Sequence, residues 1–242
     1  MRKVELLAPA GNLEKAKTAL RYGCDAVYVG GKEFSLRARA SNFSRDDLKE
    51  LAIFAHQMNK KMYVTCNIIP HDEDMENLDN YLEFLNEIEV DAIITSSLAI
   101  MMRAKVVAPK VEVHVSTQMS ITNSEAIKFW QSIGATRVVL AREVTINEMK
   151  KIKDNTSLEL EVFIHGGMCA SYSGRCTLSN YMTARDANRG GCAHSCRWNY
   201  KLFENDSSLE IDGHMFKIGS KDLMSFRVLP KLIDLGIDSF KI

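Results

Sequence analysis

Gly23-Cys24-Asp25-Ala26-Val27 ends a helical pattern with glycine and turns at once into a strand. The same punctuation returns in Gly134-Ala135-Thr136-Arg137-Val138 and in Gly236-Ile237-Asp238-Ser239-Phe240. Glycine suits the left-handed residue just beyond a helix C-terminus, so each stretch reads as an αβ turn. Outward from these turns, short β-branched runs give eight strand candidates, at 4–8, 26–29, 62–66, 92–95, 112–115, 137–140, 160–164 and 237–242. Helix candidates lie between them at 12–22, 45–58, 75–88, 98–107, 123–132, 146–153 and 225–235, with apolar residues recurring at helical spacing. This alternation is the pattern of βα units around a parallel sheet. Eight strands predict one α/β domain over residues 1–242, a (β/α)8 TIM-like barrel. A doubly wound open sheet shares the alternation and is the competing architecture. The last strand candidate reaches Ile242 with no helix after it, so the barrel reads as C-terminally truncated.

With 242 residues, 46% of them hydrophobic, the chain can bury one sizeable core. Lysine plus arginine and aspartate plus glutamate both number 31, so no chain-wide field favours nucleic acid or a membrane, and any polyanion site must be local. Met1-Arg2-Lys3-Val4-Glu5 has no apolar signal core behind it, and no stretch approaches the ~18 apolar residues of a membrane span. A cytoplasmic protein without a membrane partner is expected. In that compartment the six cysteines read as thiols rather than three disulfides, and clustered thiols suggest metal or redox chemistry.

The stretch 165–220 is far longer than a βα loop needs. It reads as a cysteine-rich insertion after strand seven, at the barrel end where functional loops are placed. Its cysteines fall as C-x6-C-x15-C-x3-C: Cys169, Cys176, Cys192 and Cys196. Only the last two fit a zinc hook. Iron–sulfur clusters accept more varied spacing because each thiolate binds a different iron. The order of expectation is a 4Fe-4S cluster, then zinc, then a disulfide pair. Gly166-Gly167, Gly174 and Gly190-Gly191 would let backbone approach a bulky group. Cys24 and Cys66 read instead as buried packing residues.

Between residues 165 and 201 five cations, Arg175, Arg185, Arg189, Arg197 and Lys201, face one acid, Asp186. Tyr172, Tyr181, Trp198 and Tyr200 interleave with them. Arg175, Arg185, Arg189, Arg197 and Trp198 are therefore candidate RNA contacts, cations for phosphate and an aromatic face for a base; a solvated basic loop would show the same composition. Asn67, Ser116-Thr117-Gln118, Arg142-Glu143 and His165 gather at strand ends, and Asn67, Gln118, Arg142 and Glu143 are candidate substrate ligands. Arg37 and Arg39 could clamp a carboxylate. His165, whose imidazole titrates near neutrality, is the candidate proton-transferring or substrate-orienting group. The sequence has no GxGxxG, P-loop, HExxH or GxSxG, which argues against nucleotide-dependent, zincin and α/β-hydrolase chemistry.

Several stretches, taken together, resemble peptidase family U32 across essentially the whole length. They are Leu6-Leu7-Ala8-Pro9-Ala10-Gly11-Asn12, Phe34-Ser35-Leu36-Arg37-Ala38-Arg39 with Asn42-Phe43, His114-Val115-Ser116-Thr117-Gln118, and Glu161-Val162-Phe163-Ile164-His165-Gly166-Gly167-Met168-Cys169. Tyr172-Ser173-Gly174-Arg175-Cys176, Arg185-Asp186, Cys192 and Cys196-Arg197-Trp198 are similar to the branch that hydroxylates transfer RNA. The resemblance implies a 4Fe-4S enzyme that forms 5-hydroxyuridine at the tRNA wobble position, with prephenate, a small dicarboxylate, as oxygen source. Sibling branches hydroxylate ribosomal RNA or quinone precursors. Older naming made the family collagenase-like proteases, so a peptidase is the alternative, although no nucleophile or activated water for one is evident. The family usually continues past Lys241-Ile242 into a Glu-Gly-Arg segment and a C-terminal domain, which this sequence does not contain.

Overall fold

The computed structural model describes residues 3–36, 42–209 and 215–242. Eight strands form its centre: β1 (Glu5–Pro9), β2 (Ala26–Gly30), β3 (Lys61–Cys66), β4 (Ala92–Thr95), β5 (Glu112–Val115), β6 (Arg137–Val139), β7 (Glu159–Phe163) and β8 (Ser239–Lys241). They pair in parallel in sequence order, and β8 returns to β1 with Ser239 opposite Glu5. That last pairing closes the sheet, so the barrel holds and the open doubly wound alternative falls. The outer helices are α1 (Leu13–Arg21), α2 (Arg45–Gln57), α3 (Leu78–Glu87), α4 (Leu98–Val107), α5 (Ser124–Ser132), α6 (Ile146–Asp154) and α7 (Leu229–Asp234). No helix among the described residues is long and apolar enough to cross a membrane.

Local chemistry sets the helix ends. Asn12, Ser97 and Asn123 accept the amide hydrogens of Lys15, Ile100 and Ala126, while Ser44 with Asp47 and Thr145 with Glu148 form reciprocal capping boxes. Gly23, Gly134 and Gly236 have φ of +110°, +98° and +76°, the left-handed turns expected of them. Two helices start later than periodicity suggests. The pattern over 75–88 divides into a short turn, Asp72–Met75, and α3; Asp74 caps the start of that turn by accepting the amide hydrogen of His71 (2.7 Å). The pattern over 225–235 opens with a 3-10 turn, Phe226–Val228, and proline stands in the first turn of α7.

Strand alternation sorts the interior into two parts. Val27, Val29, Met62, Val64, Ile93, Val113, Val138, Leu160 and Val162 belong to the large core shared with the helices, which supply Leu20, Leu51, Leu82, Ile100, Ile127 and Ile152. The inward positions Leu7, Ala26, Tyr63, Ala92 and Ile94 form a small separate cluster. Other inward positions are polar. Arg137 donates to Glu5 (2.5 Å), Glu159 (2.7 Å) and Glu161 (3.3 Å), and Lys241 Nζ donates to Glu161 (2.8 Å). Tyr63 and Ser239 hydroxyls donate to Glu5 at 2.6 and 2.9 Å. Burial opposes ionisation of Glu161, yet Lys241 and Arg137 outweigh it and hold the carboxyl below its ordinary value. His114, buried edge-on to Tyr63, is pushed down by desolvation, which favours its neutral form.

Between β7 and α7 lies the insertion. It leaves and re-enters the barrel wall through a short antiparallel ladder, His165–Gly166 against Leu223–Met224. Within it are a helix, Leu178–Thr183, two 3-10 turns, Ala187–Arg189 and Ser195–Arg197, and a hairpin, Leu202–Glu204 with Ser207–Leu209. The hairpin turns at Asn205-Asp206, both at positive φ, as a two-residue connection requires.

Candidate functional site

The polar residues expected at strand ends meet at the C-terminal mouth of the barrel. Asn67, just after β3, accepts the Leu36 amide hydrogen at Oδ1 (3.1 Å) and donates from Nδ2 to Gln118 Oε1 (2.9 Å). Gln118 lies in the 3-10 turn Thr117–Met119 after β5, where Ser116 Oγ donates to the same Oε1 (3.2 Å). Asn67 and Gln118 thus stand together, as one substrate-facing group would. Arg37 and Arg39 lie outside the described residues.

Arg142 and Glu143, after β6, are engaged with the insertion. The Glu143 carboxylate accepts the backbone N–H (3.0 Å) and the hydroxyl (2.9 Å) of Ser173, while Arg142 Nε donates to Ser173 Oγ (3.3 Å). Ser120 Oγ donates to the Ser173 carbonyl, and Ser173 is fully buried. Gly174 beside it has φ +75°, and a Cβ there would stand 2.0 Å from the Gln118 carbonyl oxygen. The stretch between Cys169 and Cys176 is therefore clamped onto the rim by the loops after β5 and β6. The sequence assigns Ser173 and Ser120 no role of their own; the local signal is that Ser173-Gly174 lies between two cysteines. Gly174→Ala meets both an unfavourable φ and backbone it cannot displace. It should cost about 1–3 kcal/mol, read as a lower urea midpoint, and a neutral result would show that the clamp yields freely.

The insertion's arginines divide. Arg189 bonds Asp74 (2.5 Å) and the Ile69 carbonyl (3.0 Å), pinning the insertion to the loop after β3. Burial opposes the Asp74 charge, but Arg189 outweighs it and holds that carboxyl below its ordinary range. Arg197 pairs with Asp222 (3.0 Å). Arg185 keeps a buried Nε with no hydrogen-bond partner among the described residues. Arg175 is exposed, and its guanidinium forms no ion pair among those residues. Trp198, Tyr172 and Tyr181 are exposed aromatics on the same insertion. His165 is exposed too, paired through its backbone with Met224.

Cys169, Cys176, Cys192 and Cys196 are free thiols, the first and third exposed and the others half-buried. Cys24 and Cys66 are buried, and desolvation raises both thiols, Cys24 to about 11. The thiols accessible to a metal at the mouth are the insertion's four. The segments of three of them converge on the helix Leu178–Thr183. Cys176 precedes that helix by two residues, the Ala193 amide after Cys192 donates to Ser179 Oγ (3.0 Å), and the turn carrying Cys196 packs on it. The donor set fits a thiolate-bound metal in kind. Among the described residues no three His, Cys, Asp or Glu side chains stand at metal-holding separation, so ligation would draw the four thiols together.

The chain is 48% identical to the tRNA hydroxylation protein P1 of Bacillus subtilis (strain 168), covering 100% of this chain and 58% of the relative. It is 43% identical to an uncharacterized protease of Methanocaldococcus jannaschii, covering 99% of this chain and 60% of the relative. Identity is 39% to a 23S rRNA 5-hydroxycytidine synthase of Escherichia coli (strain K12), covering 99% of this chain and 36% of the relative. The chain thus spans between about a third and three fifths of the length of these relatives. A solved U32 peptidase superposes with a TM-score of 0.57 at 13% identity, covering 69% of this chain and 71% of that one, a likeness of fold. The sequence profile described as Peptidase family U32 matches residues 11–242, from the glycine after β1 through the cysteine insertion to the closing strand, and the chain belongs to that family.

Proposed function

We propose that the protein hydroxylates RNA, and specifically forms 5-hydroxyuridine at the wobble position of tRNA, in the cytoplasm where that substrate is found. The observation that carries this reading is the clamped insertion. It presents four accessible thiols, exposed aromatics and arginines at the barrel mouth, next to the Asn67–Gln118 pair. The names of the Bacillus and Escherichia relatives, which concern tRNA and rRNA hydroxylation, supply the reaction class.

Cys169, Cys176, Cys192 and Cys196 would hold a 4Fe-4S cluster, with zinc as the alternative occupant. Such a cluster supplies one-electron chemistry. Prephenate is proposed as the source of the oxygen atom that turns the C5–H bond of the base into C5–OH. Trp198, Tyr172 and Tyr181 offer faces on which an unstacked base can rest, and Arg185 offers charge to its phosphates. His165, exposed where β7 leaves the barrel, is the proposed proton-handling group. Alanine at Arg185 should weaken tRNA binding and lower the slope of log affinity against log salt by about one; an unchanged slope would remove Arg185 from the RNA surface. His165→Ala should depress turnover more than binding.

A peptidase reading has the name of the Methanocaldococcus relative in its favour. Ser173, bonded at the mouth to the Glu143 carboxylate, is fully buried and serves as a clasp rather than a nucleophile. The deciding measurement is mass spectrometry of the wobble uridine from cells lacking the gene and from cells complemented with it. Loss and recovery of the hydroxyl group support the proposal. Normal hydroxylation in a deletion strain without a paralogue rejects it, and peptide cleavage by metal-free protein would favour the peptidase.

A further inference from the structure

Four buried side-chain nitrogen or oxygen atoms among the described residues lack a hydrogen-bond partner, and two of them, Arg185 Nε and Ser195 Oγ, lie in the cysteine insertion. Both can donate. Ser195 is only 1% exposed and stands immediately before Cys196 in the 3-10 turn Ser195–Arg197. The backbone on either side is fixed, because the Ser195 carbonyl accepts the Tyr200 hydroxyl (2.7 Å) and the Trp198 amide (3.1 Å), and the Cys196 carbonyl accepts the Gly219 amide (2.6 Å). Arg185 follows the helix Leu178–Thr183, on which that turn packs, and its amide donates to the Ser179 carbonyl (3.4 Å). A buried donor left without a partner is costly, and alanine in place of Ser195 would avoid the cost. Oxygen acceptors around the helix are engaged. The Ser179 carbonyl takes the Thr183 hydroxyl (2.7 Å), Ser179 Oγ the Ala193 amide (3.0 Å) and Asn180 Oδ1 the Ala187 amide (3.2 Å). What the insertion has in surplus here is sulfur, with Cys176 ahead of the helix and Cys192 and Cys196 on either side of Ser195.

We infer that Ser195 Oγ and Arg185 Nε donate hydrogen bonds to the sulfur of the group held by Cys169, Cys176, Cys192 and Cys196, and so raise its reduction potential. The inference rests on the iron–sulfur reading above. A cluster that accepts one electron gains negative charge on its sulfurs, and donors aimed at sulfur stabilise that state over the oxidised one. Ser195 contributes a neutral donor held in place by its turn, and Arg185 a charged one. The phosphate contact proposed for Arg185 does not compete with this role, because it uses the terminal nitrogens of the same guanidinium.

The test is a reductive titration of the anaerobically purified protein with dithionite, followed by electron paramagnetic resonance of the reduced cluster, with iron and acid-labile sulfide assayed in every sample. Ser195→Ala should keep about four irons per chain and make reduction about tenfold less favourable, a fall of about 59 mV in a one-electron potential. Ser195→Thr, which restores the hydroxyl, should return most of that shift. Arg185→Lys keeps the positive charge but has no nitrogen at the Nε position, so its potential should also fall, whereas a charge acting through space would leave it where it was. Should Ser195→Ala fail to hold iron, Arg185→Lys decides on its own. A wild-type potential in either variant with full iron overturns the inference and leaves the cluster standing. So does a fall in Ser195→Thr equal to that in Ser195→Ala, which would make packing the cause. A wild type that holds zinc without sulfide overturns the inference and the cluster together.

Discussion

Alanine at any one of Cys169, Cys176, Cys192 or Cys196 is expected to take anaerobically purified protein from about four irons per chain to fewer than one, and to abolish its hydroxylation activity. The reason is the distribution of thiols. The four in the insertion are free and accessible, and three of their segments surround one short helix. A cluster that spans four irons has no surplus ligand to lose. Cys24→Ala and Cys66→Ala should keep the iron, because burial in the hydrophobic core holds those thiols protonated and enclosed. Iron and acid-labile sulfide assays with the visible absorption spectrum decide the matter. Stoichiometric zinc without sulfide would replace the cluster with the alternative metal, and equal loss across all six variants would mean the ligands are wrongly assigned.

The largest stability effect should come from inside the barrel. Arg137 is almost fully buried and spans Glu5, Glu159 and Glu161, so Arg137→Met would leave Lys241 alone against two enclosed carboxylates. Removing one partner of a buried charge network costs about 3–5 kcal/mol, a large share of the 5–15 kcal/mol that holds a typical domain together. Urea unfolding should show it as a shifted midpoint at unchanged slope. The pH response should differ as well. In the wild type the Glu161 carboxyl is held below its ordinary 4.5, so the unfolded chain takes up the proton first and stability falls as pH drops through that region. In Arg137→Met only Lys241 is left to oppose the burial of Glu161, and the acid-side loss should shrink. A destabilisation under 1 kcal/mol would mean that the network is not what holds these charges inside.

Much of this was legible one segment at a time. Turn glycines and β-branched runs are local signals, and the strand positions they suggest match the barrel to within two residues at either end. Pairings between distant residues were not legible. Arg137 and Glu5 lie 132 positions apart, Arg189 and Asp74 lie 115 apart, and nothing in either neighbourhood announces the other. Inward-facing charge at 137, 159, 161 and 241 follows from strand alternation only once the barrel is known to close. Polarity at strand ends located the mouth correctly but not each side chain's partner. Asn67 and Gln118 do meet there, while Arg142 and Glu143 are occupied in holding Ser173. The cysteine spacing identified a thiol-rich segment, and it carried no information on the Ser173-Gly174 clamp, which depends on loops from two other strands.

The short ladder of His165–Gly166 with Leu223–Met224 has a consequence for how such a protein can diversify. It fastens the neck of the insertion, so the chain between its two sides enters and exits at one point on the wall. Loop-closure entropy grows only slowly with the length enclosed. Residues past the neck can then lengthen, shorten or change their cargo while β7 and β8 keep their register. A neck of this kind separates the inheritance of the scaffold from that of the chemistry it displays.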